Sequence, residues 1–201
     1  MDPLFSIIIV TFNGYDFVSA CVASIQRNIY QATEIIVVDN ASTDGSAAKL
    51  KEQFGDDIIV VCLDKNYGPS LARNKGVAAS SGTFLGFLDN DTEVDPNWIV
   101  EAKQLFDEDS RLGILQCKLL LYSDRTKIDY AGEYLGQNGF LVHVAEAGVT
   151  DQGQFDDTGL ILAAKSAGMF IRREAFDAAG GFDPDYFIMV EETDLGWRNW
   201  L

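Results

Sequence analysis

The sequence predicts an α/β protein built on a doubly wound, mainly parallel sheet, and three observations predict it. Short runs of β-branched and aromatic residues alternate with stretches of helical period through the first half of the chain. The runs are apolar throughout rather than at every second position, as strands covered on both faces must be. Those at 6–11, 34–38 and 84–88 each end in a polar break: Thr11-Phe12-Asn13, Asp39-Asn40 and Asp89-Asn90-Asp91. Sheets of this class bind ligands beyond the carboxyl ends of their strands, so the three breaks mark an expected site.

The elements follow in order. After the run at 6–11, Val18, Val22, Ile25 and Ile29 are spaced for one face of a helix. The second strand, 34–38, leads to Ser42 or Thr43 as the cap of a helix reaching about Phe54. A third strand is expected at 58–62. Asn66-Tyr67-Gly68-Pro69 then turns into a helix with Pro69 at its first position, carrying Ala72-Arg73-Asn74-Lys75-Gly76. The turn Ser81-Gly82 precedes the fourth strand, and Asp95-Pro96 opens a helix facing inward through Trp98, Ala102 and Leu105.

The second half is less regular. One strand is expected over 114–121, then a polar, Gly-rich stretch over 122–158 with strand signals near Tyr134 and Phe140, a functional loop or small antiparallel insertion. A strand over 160–171 is broken at Ala167-Gly168, and a short helix over 173–179 is closed by Gly180-Gly181. A last helix begins near Glu191 and has no cap before Trp200-Leu201, so a C-terminal truncation is expected.

Composition narrows the function. At 201 residues, 47% hydrophobic and 23% charged, the chain is expected to be one domain with a substantial core. A net charge of -16, from 31 acidic and 15 basic residues, argues against a nucleic-acid partner, which clustered Lys and Arg would hold. An anionic small molecule still fits if a metal supplies local positive charge. Cys21, Cys62 and Cys117 are scattered in apolar segments without Cys-x-x-Cys spacing, which reads as reduced core residues. The single histidine, His143, excludes a His-rich metal site. No apolar run approaches the roughly 20 residues of a membrane span and no signal peptide opens the chain, so a cytoplasmic protein is expected, in contact with a membrane only peripherally at its inner face.

Two groups of carboxylates carry chemistry. Asp89 and Asp91 are two apart, on one side of an extended chain, where they would converge on a hard cation; a solvated turn rich in Asp and Asn has the same composition. Near the end stand Glu191, Glu192 and Asp194. On a helix Glu191 and Asp194 share a face, Glu192 points about 100° away, and Asp194 meets Arg198 four residues on.

Taken in order, Thr11-Phe12-Asn13, Val38-Asp39-Asn40-Ala41-Ser42-Thr43-Asp44-Gly45-Ser46, Asn66-x-Gly68, Ala72-Arg73-Asn74-x-Gly76 and Leu88-Asp89-Asn90-Asp91 form one pattern. Gly180-Gly181-Phe182-Asp183 and Glu191-Glu192-Thr193-Asp194-Leu195 complete it. The pattern resembles the family 2 glycosyltransferases of GT-A fold over nearly the whole chain, and most of all their bacterial rhamnosyltransferase-type branch. The resemblance implies one domain over 1–201, with a Rossmann-like nucleotide half over about 1–110 and a loop-rich acceptor half over about 111–201. It implies inverting transfer of a sugar from a UDP or dTDP donor to a hydroxyl of a glycan, lipid-linked or other acceptor.

Residue roles follow from the same resemblance. Asp39 bonds the base, with Phe12 against it where many relatives have Tyr, and Thr11 and Asn13 line the nucleotide pocket. Arg73 meets the base or the diphosphate. Asp89 and Asp91 match the family's Asp-x-Asp motif at the nucleotide and metal, with Asp91 the direct ligand of Mg²⁺ or Mn²⁺. The family's acidic pair is usually Glu-Asp; here Glu192, one methylene longer, takes the place of the catalytic base beside Glu191. A metal-binding histidine of the family often lies beyond the last residue of this chain.

Each residue also has a plainer reading: Arg73 as a helix-surface residue, Phe12 as a core aromatic, Asp44, Glu191 and Glu192 as helix N-terminal charges. Two other functions compete. A nucleotidyltransferase would usually show a Gly-rich phosphate loop after the first strand, where only Gly14 stands, and no Walker A or Gly-x-Gly-x-x-Gly motif occurs. The Glu191-Glu192 departure leaves room for a non-catalytic nucleotide-sugar-binding module.

Overall fold

Four parallel strands carry the first half of the chain: β1 (Phe5–Thr11), β2 (Thr33–Asp39), β3 (Ile59–Cys62) and β4 (Phe84–Asp89). They are joined by α1 (Tyr15–Gln26), α2 (Ser46–Phe54) and α3 (Gly68–Ala78). The computed structural model describes residues 3–200. After α4 (Trp98–Glu108) come β5 (Ile114–Gln116), β6 (Leu119–Leu121), β7 (Asp124–Tyr130), β8 (Glu133–Leu135) and β9 (Leu141–His143). The chain closes with β10 (Met169–Arg172), α5 (Arg173–Ala179) and α6 (Glu191–Trp200). β10 enters antiparallel between β4 and β5, so the main sheet runs β3-β2-β1-β4-β10-β5, while β6-β7 and β8-β9 make two small antiparallel ribbons. The result is the expected mixed α/β architecture on a mainly parallel sheet.

Alternation along β1 builds both layers. Ile7 and Ile9 face α1 and α4, packing among Val18, Val22 and Phe106, while Ile8 faces α3 with Val38, Ala72 and Phe182. Each such side chain, buried completely, contributes about 1.5–3 kcal/mol. Gly76 sets the height of α3: a Cβ there would lie 2.5 Å from Ile8 Cγ2 and 3.0 Å from Val38 Cγ2. That close approach places Arg73, one turn earlier, over the end of β4.

The sheet departs from several expectations. The apolar run 114–121 is not one strand. Cys117 donates its N–H to Gly168 O at 2.9 Å, and Lys118 turns out to pair with Asp151 at 2.7 Å, so the chain leaves the main sheet between β5 and β6. The expected strand over 160–171 shrinks to β10. Leu160 is 88% exposed, and Gly168 N–H closes a turn on Lys165 O. α1 stops at Gln26 and leaves Ile29 exposed. The inward face of α4 is Ile99, Ala102 and Phe106, with Trp98 partly buried against the core and Leu105 only half-buried. Neither Ser42 nor Thr43 caps α2: Gly45, left-handed at φ 82°, holds that position, and Asp44 Oδ1 accepts from the Ser46 N–H and hydroxyl. The cysteines are all free, but Cys62 is exposed at the end of β3; burial pushes the thiols of Cys21 up to about 12 and Cys117 up to about 11.

At the opposite end of the sheet, Glu34 of β2 ties β1 to the turn that precedes β4. Its Oε1 accepts from Ser6 Oγ at 2.6 Å and from the N–H groups of Ser81 at 2.6 Å and Gly82 at 3.1 Å. Burial pushes its pKa upward, but these donors outweigh it and hold the carboxyl below the usual glutamate range. Its stabilisation is therefore present at neutral pH and lost as pH falls through the lowered value. Glu34→Gln should cost about 1–2 kcal/mol at neutral pH, allowing for partial exposure. In denaturant melts the gap to wild type should close as the pH drops below about 4.

Candidate active site

The polar breaks meet because the strands are in register: Thr11 pairs with Asp39 across β1 and β2, and Val10 pairs with Asp89 across β1 and β4. Side-chain bonds then lock the loops. Asn13, left-handed at φ 52°, receives a bond from the Thr43 N–H on its Oδ1 at 2.7 Å and donates its own N–H to Ser42 Oγ at 2.9 Å. Ser42 in turn donates its N–H to Asp39 Oδ1 at 3.0 Å. Asn90 Nδ2 donates to Thr11 Oγ1 at 3.2 Å. Asn40, 3% exposed, accepts from the Tyr67 N–H and donates to Asn66 Oδ1, pinning the turn before α3 to the end of β2. Phe12 stands out with 48% of its surface exposed, which a core aromatic would not.

These ends open into a cleft of about 490 Å³ whose lining includes Thr11, Phe12, Arg73, Asp89, Glu191 and Glu192. Phe187, Ile188 and Met189 form its far wall, held close to α3 at Gly68, where a Cβ would lie 2.2 Å from Phe187 O. Met189 and Val190 then adopt left-handed backbone at φ 74° and 62°. For a β-branched residue this conformation costs on the order of 1–3 kcal/mol. The strained pair turns the chain from the cleft wall into α6.

That turn presents both glutamates to Arg73. The guanidinium, buried to 6% exposure, donates from Nη1 to Glu191 Oε1 at 2.9 Å and from Nη2 to Asp89 Oδ1 at 3.3 Å. Nη1 also lies 3.7 Å from Glu192 Oε1, and the group stacks over the Phe182 ring at 5.4 Å. Asn74, the next residue, clips Phe182 from both sides, donating to its carbonyl at 2.7 Å and accepting its N–H at 3.1 Å. Arg73 is thus neither a surface residue nor free for a nucleotide alone. Glu191 and Glu192, adjacent at the start of α6, both reach the same cation. Asp194 is taken up by Arg198 at 2.9 Å, as its spacing predicts.

The acidic motif after β4 does not stay extended. The strand ends at Asp89 and the Thr92 N–H folds back to Asp89 O, leaving Asp91 exposed in a turn. Desolvation raises the Asp89 carboxyl above the usual range; Arg73 opposes this, and the charges of Glu192 and Asp91 add to it. Among the described residues, no three His, Cys, Asp or Glu come together as a metal-binding set. Asp89 lines the cleft and Asp91 follows it, exposed, two residues on; one or two such carboxylates suit Mg²⁺, which takes its other ligands from phosphate oxygens and water. His143 sits on β9, exposed, 4.0 Å from Glu133 and away from the cleft residues.

The model of the Glycosyl transferase family 2 matches residues 6–179. The chain belongs to that family. Within it, the O-antigen biosynthesis protein RfbC of Myxococcus xanthus is 32% identical over 204 residues, covering 98% of this chain and 16% of RfbC. Among solved structures, S. aureus TarS 1-349 superposes with TM-score 0.72 at 20% identity, over 98% of this chain and 55% of that one. The mannosyltransferase PcManGT of Pyrobaculum calidifontis, in complex with GDP-Man and Mn²⁺, superposes with TM-score 0.69 at 16% identity, over 96% of this chain and 50% of that one. TarS 1-349 has also been solved with UDP and with UDP-GlcNAc. At such identities the structural likeness is one of fold. This family 2 chain spans about half the length of those solved chains and a smaller part of RfbC.

Proposed function

We propose that this chain is a single transferase domain that moves a sugar from a UDP or dTDP donor to an acceptor hydroxyl, with inversion. The observation that carries the proposal is the cleft in which the ends of β1 and β4 meet the glutamates of α6 around one guanidinium. The nucleotide half, about 1–110, supplies Asp39 as acceptor for the base, the exposed ring of Phe12 against it, and Thr11 and Asn13 as walls. Asp89 and Asp91 would be the residues that hold Mg²⁺ or Mn²⁺. When bound, the ion offsets the charge of the departing nucleotide. Arg73, the one cation among the described residues lining the cleft, adds to that field while aligning the carboxylates. Glu192 takes the proton of the acceptor hydroxyl as the new bond forms. Glu191 holds Arg73.

The relative named for O-antigen biosynthesis and the neighbours solved with nucleotide sugars support a role in polysaccharide assembly. The acceptor, a glycan, lipid-linked or other hydroxyl, is placed against the half over about 111–201. No helix among the described residues is long and apolar enough to cross a membrane; a cytoplasmic domain working at the inner membrane face fits that.

Calorimetry with UDP and dTDP tests the donor site. In Mn²⁺ the affinity should exceed that in EDTA by about tenfold or more, near 1.4 kcal/mol, and Asp91→Asn in Mn²⁺ should behave like wild type in EDTA. Equal affinity in the two buffers would remove the metal role. Binding without turnover across a donor panel would favour the non-catalytic module.

A further inference from the structure

Ser166 lies in the turn that precedes β10 and is 1% exposed. Its hydroxyl donates to Glu192 Oε1 at 2.5 Å and its N–H reaches the same oxygen at 3.3 Å. Arg73 Nη1 approaches that oxygen as well, at 3.7 Å. All three contacts fall on Oε1, and Oε2 carries none of them.

The turn is anchored independently of α6. The Lys165 N–H donates to Gln116 Oε1 at 2.5 Å, and Gln116 Nε2 donates to Cys117 O at 2.7 Å and Gly168 O at 3.3 Å. The Lys165 ammonium sits 4.2 Å over the Tyr130 ring. Ser166 is therefore held by the edge of the main sheet, where β5 and β10 pair. A glutamate carboxylate stands at the end of ~3 rotatable bonds, one more than aspartate has, and each free rotation dilutes the productive geometry. A hydroxyl and an N–H fixed to one oxygen remove that freedom.

We propose that Ser166 is a positioning residue for Glu192, clamping Oε1 so that Oε2 is presented to the acceptor hydroxyl. The inference rests on the reading of Glu192 as the base. It also explains why Ser166 is buried at all: a hydroxyl out of water is costly unless bonded, and its bond here is to the carboxylate lining the cleft.

The test uses the full chain, Mn²⁺, the donor and acceptor pair on which the wild type turns over, and UDP affinity as a separate readout. Ser166→Ala should lower kcat by about 10–100-fold, the scale of a misplaced reacting group, with donor KM and UDP affinity unchanged. Ser166→Thr, which keeps the hydroxyl, should recover most of the rate. Should Ser166→Ala melt early, Ser166→Cys, of similar shape and a weak donor, takes its place with the same expected split. Wild-type kcat in Ser166→Ala beside an inactive Glu192→Gln would overturn this inference alone, as would a parallel loss of UDP affinity. Turnover persisting in Glu192→Gln would instead sink the base reading.

Discussion

Glu192→Gln should bind UDP and Mn²⁺ as the wild type does and transfer no measurable sugar. General-base catalysis by a positioned carboxylate contributes about 10²–10⁴-fold, and the amide keeps the shape while losing the ability to accept a proton. The neighbouring glutamate is the control that makes the result informative. Glu191 is 3% exposed, its Oε1 is bonded to Arg73 at 2.9 Å, and its Oε2 has no hydrogen-bond partner among the described residues. Glu192 is more open, with 19% of its side chain exposed, and lines the same cleft. A proton acceptor must meet the incoming hydroxyl, which favours the accessible carboxylate. Normal turnover in Glu192→Gln together with loss in Glu191→Gln would move the base by one residue and reject this assignment.

Arg73→Met should destabilise the domain by about 3–5 kcal/mol, the cost of leaving a buried ion-pair partner uncompensated. Met keeps the apolar stem but loses the guanidinium stacked on Phe182, and three carboxylates then share one cleft without their cation. Glu191 suffers most, because neither of its oxygens would have a donor among the described residues. Arg73→Met/Glu191→Gln should therefore recover much of the loss, since the amide carries no charge to bury. Denaturant midpoints of the wild type, both single variants and the double variant close the cycle. Additive losses would show that Arg73 stabilises through packing alone, against the ion-pair account.

The local patterns in this chain report what local physics decides. β-branched runs such as Ile7-Ile8-Ile9-Val10 form strands wherever a two-sided core accepts them, and the parallel register carries Thr11, Asp39 and Asp89 to one edge of the sheet. Hence the parallel strands, the helices packed on them and the convergence of the polar breaks were legible in the sequence. The i to i+4 pair of Asp194 and Arg198 was legible for the same reason: it lies within one helix. The limits of the apolar runs at 114–121 and 160–171 were not, because an apolar run cannot report which residue leaves a sheet; Lys118 finding Asp151 and Gly168 closing its turn decided that.

The chemistry of the cleft was decided by tertiary structure. Arg73 and Glu191 are 118 residues apart, and no spacing rule relates them. They meet because Gly76 lets α3 sit against Ile8 and Val38, and because Met189 and Val190 take a left-handed backbone that no glycine or asparagine announces. Ser166, in a small-residue break, looks like any turn serine until Gln116 pins that turn beneath α6. The four parallel strands of the first half, and the polar breaks that end them, are written in the local sequence; only the folded chain decided which carboxylate is buried on a cation and which stays more open in the cleft, because burial and ion pairing are properties of distant residues brought together.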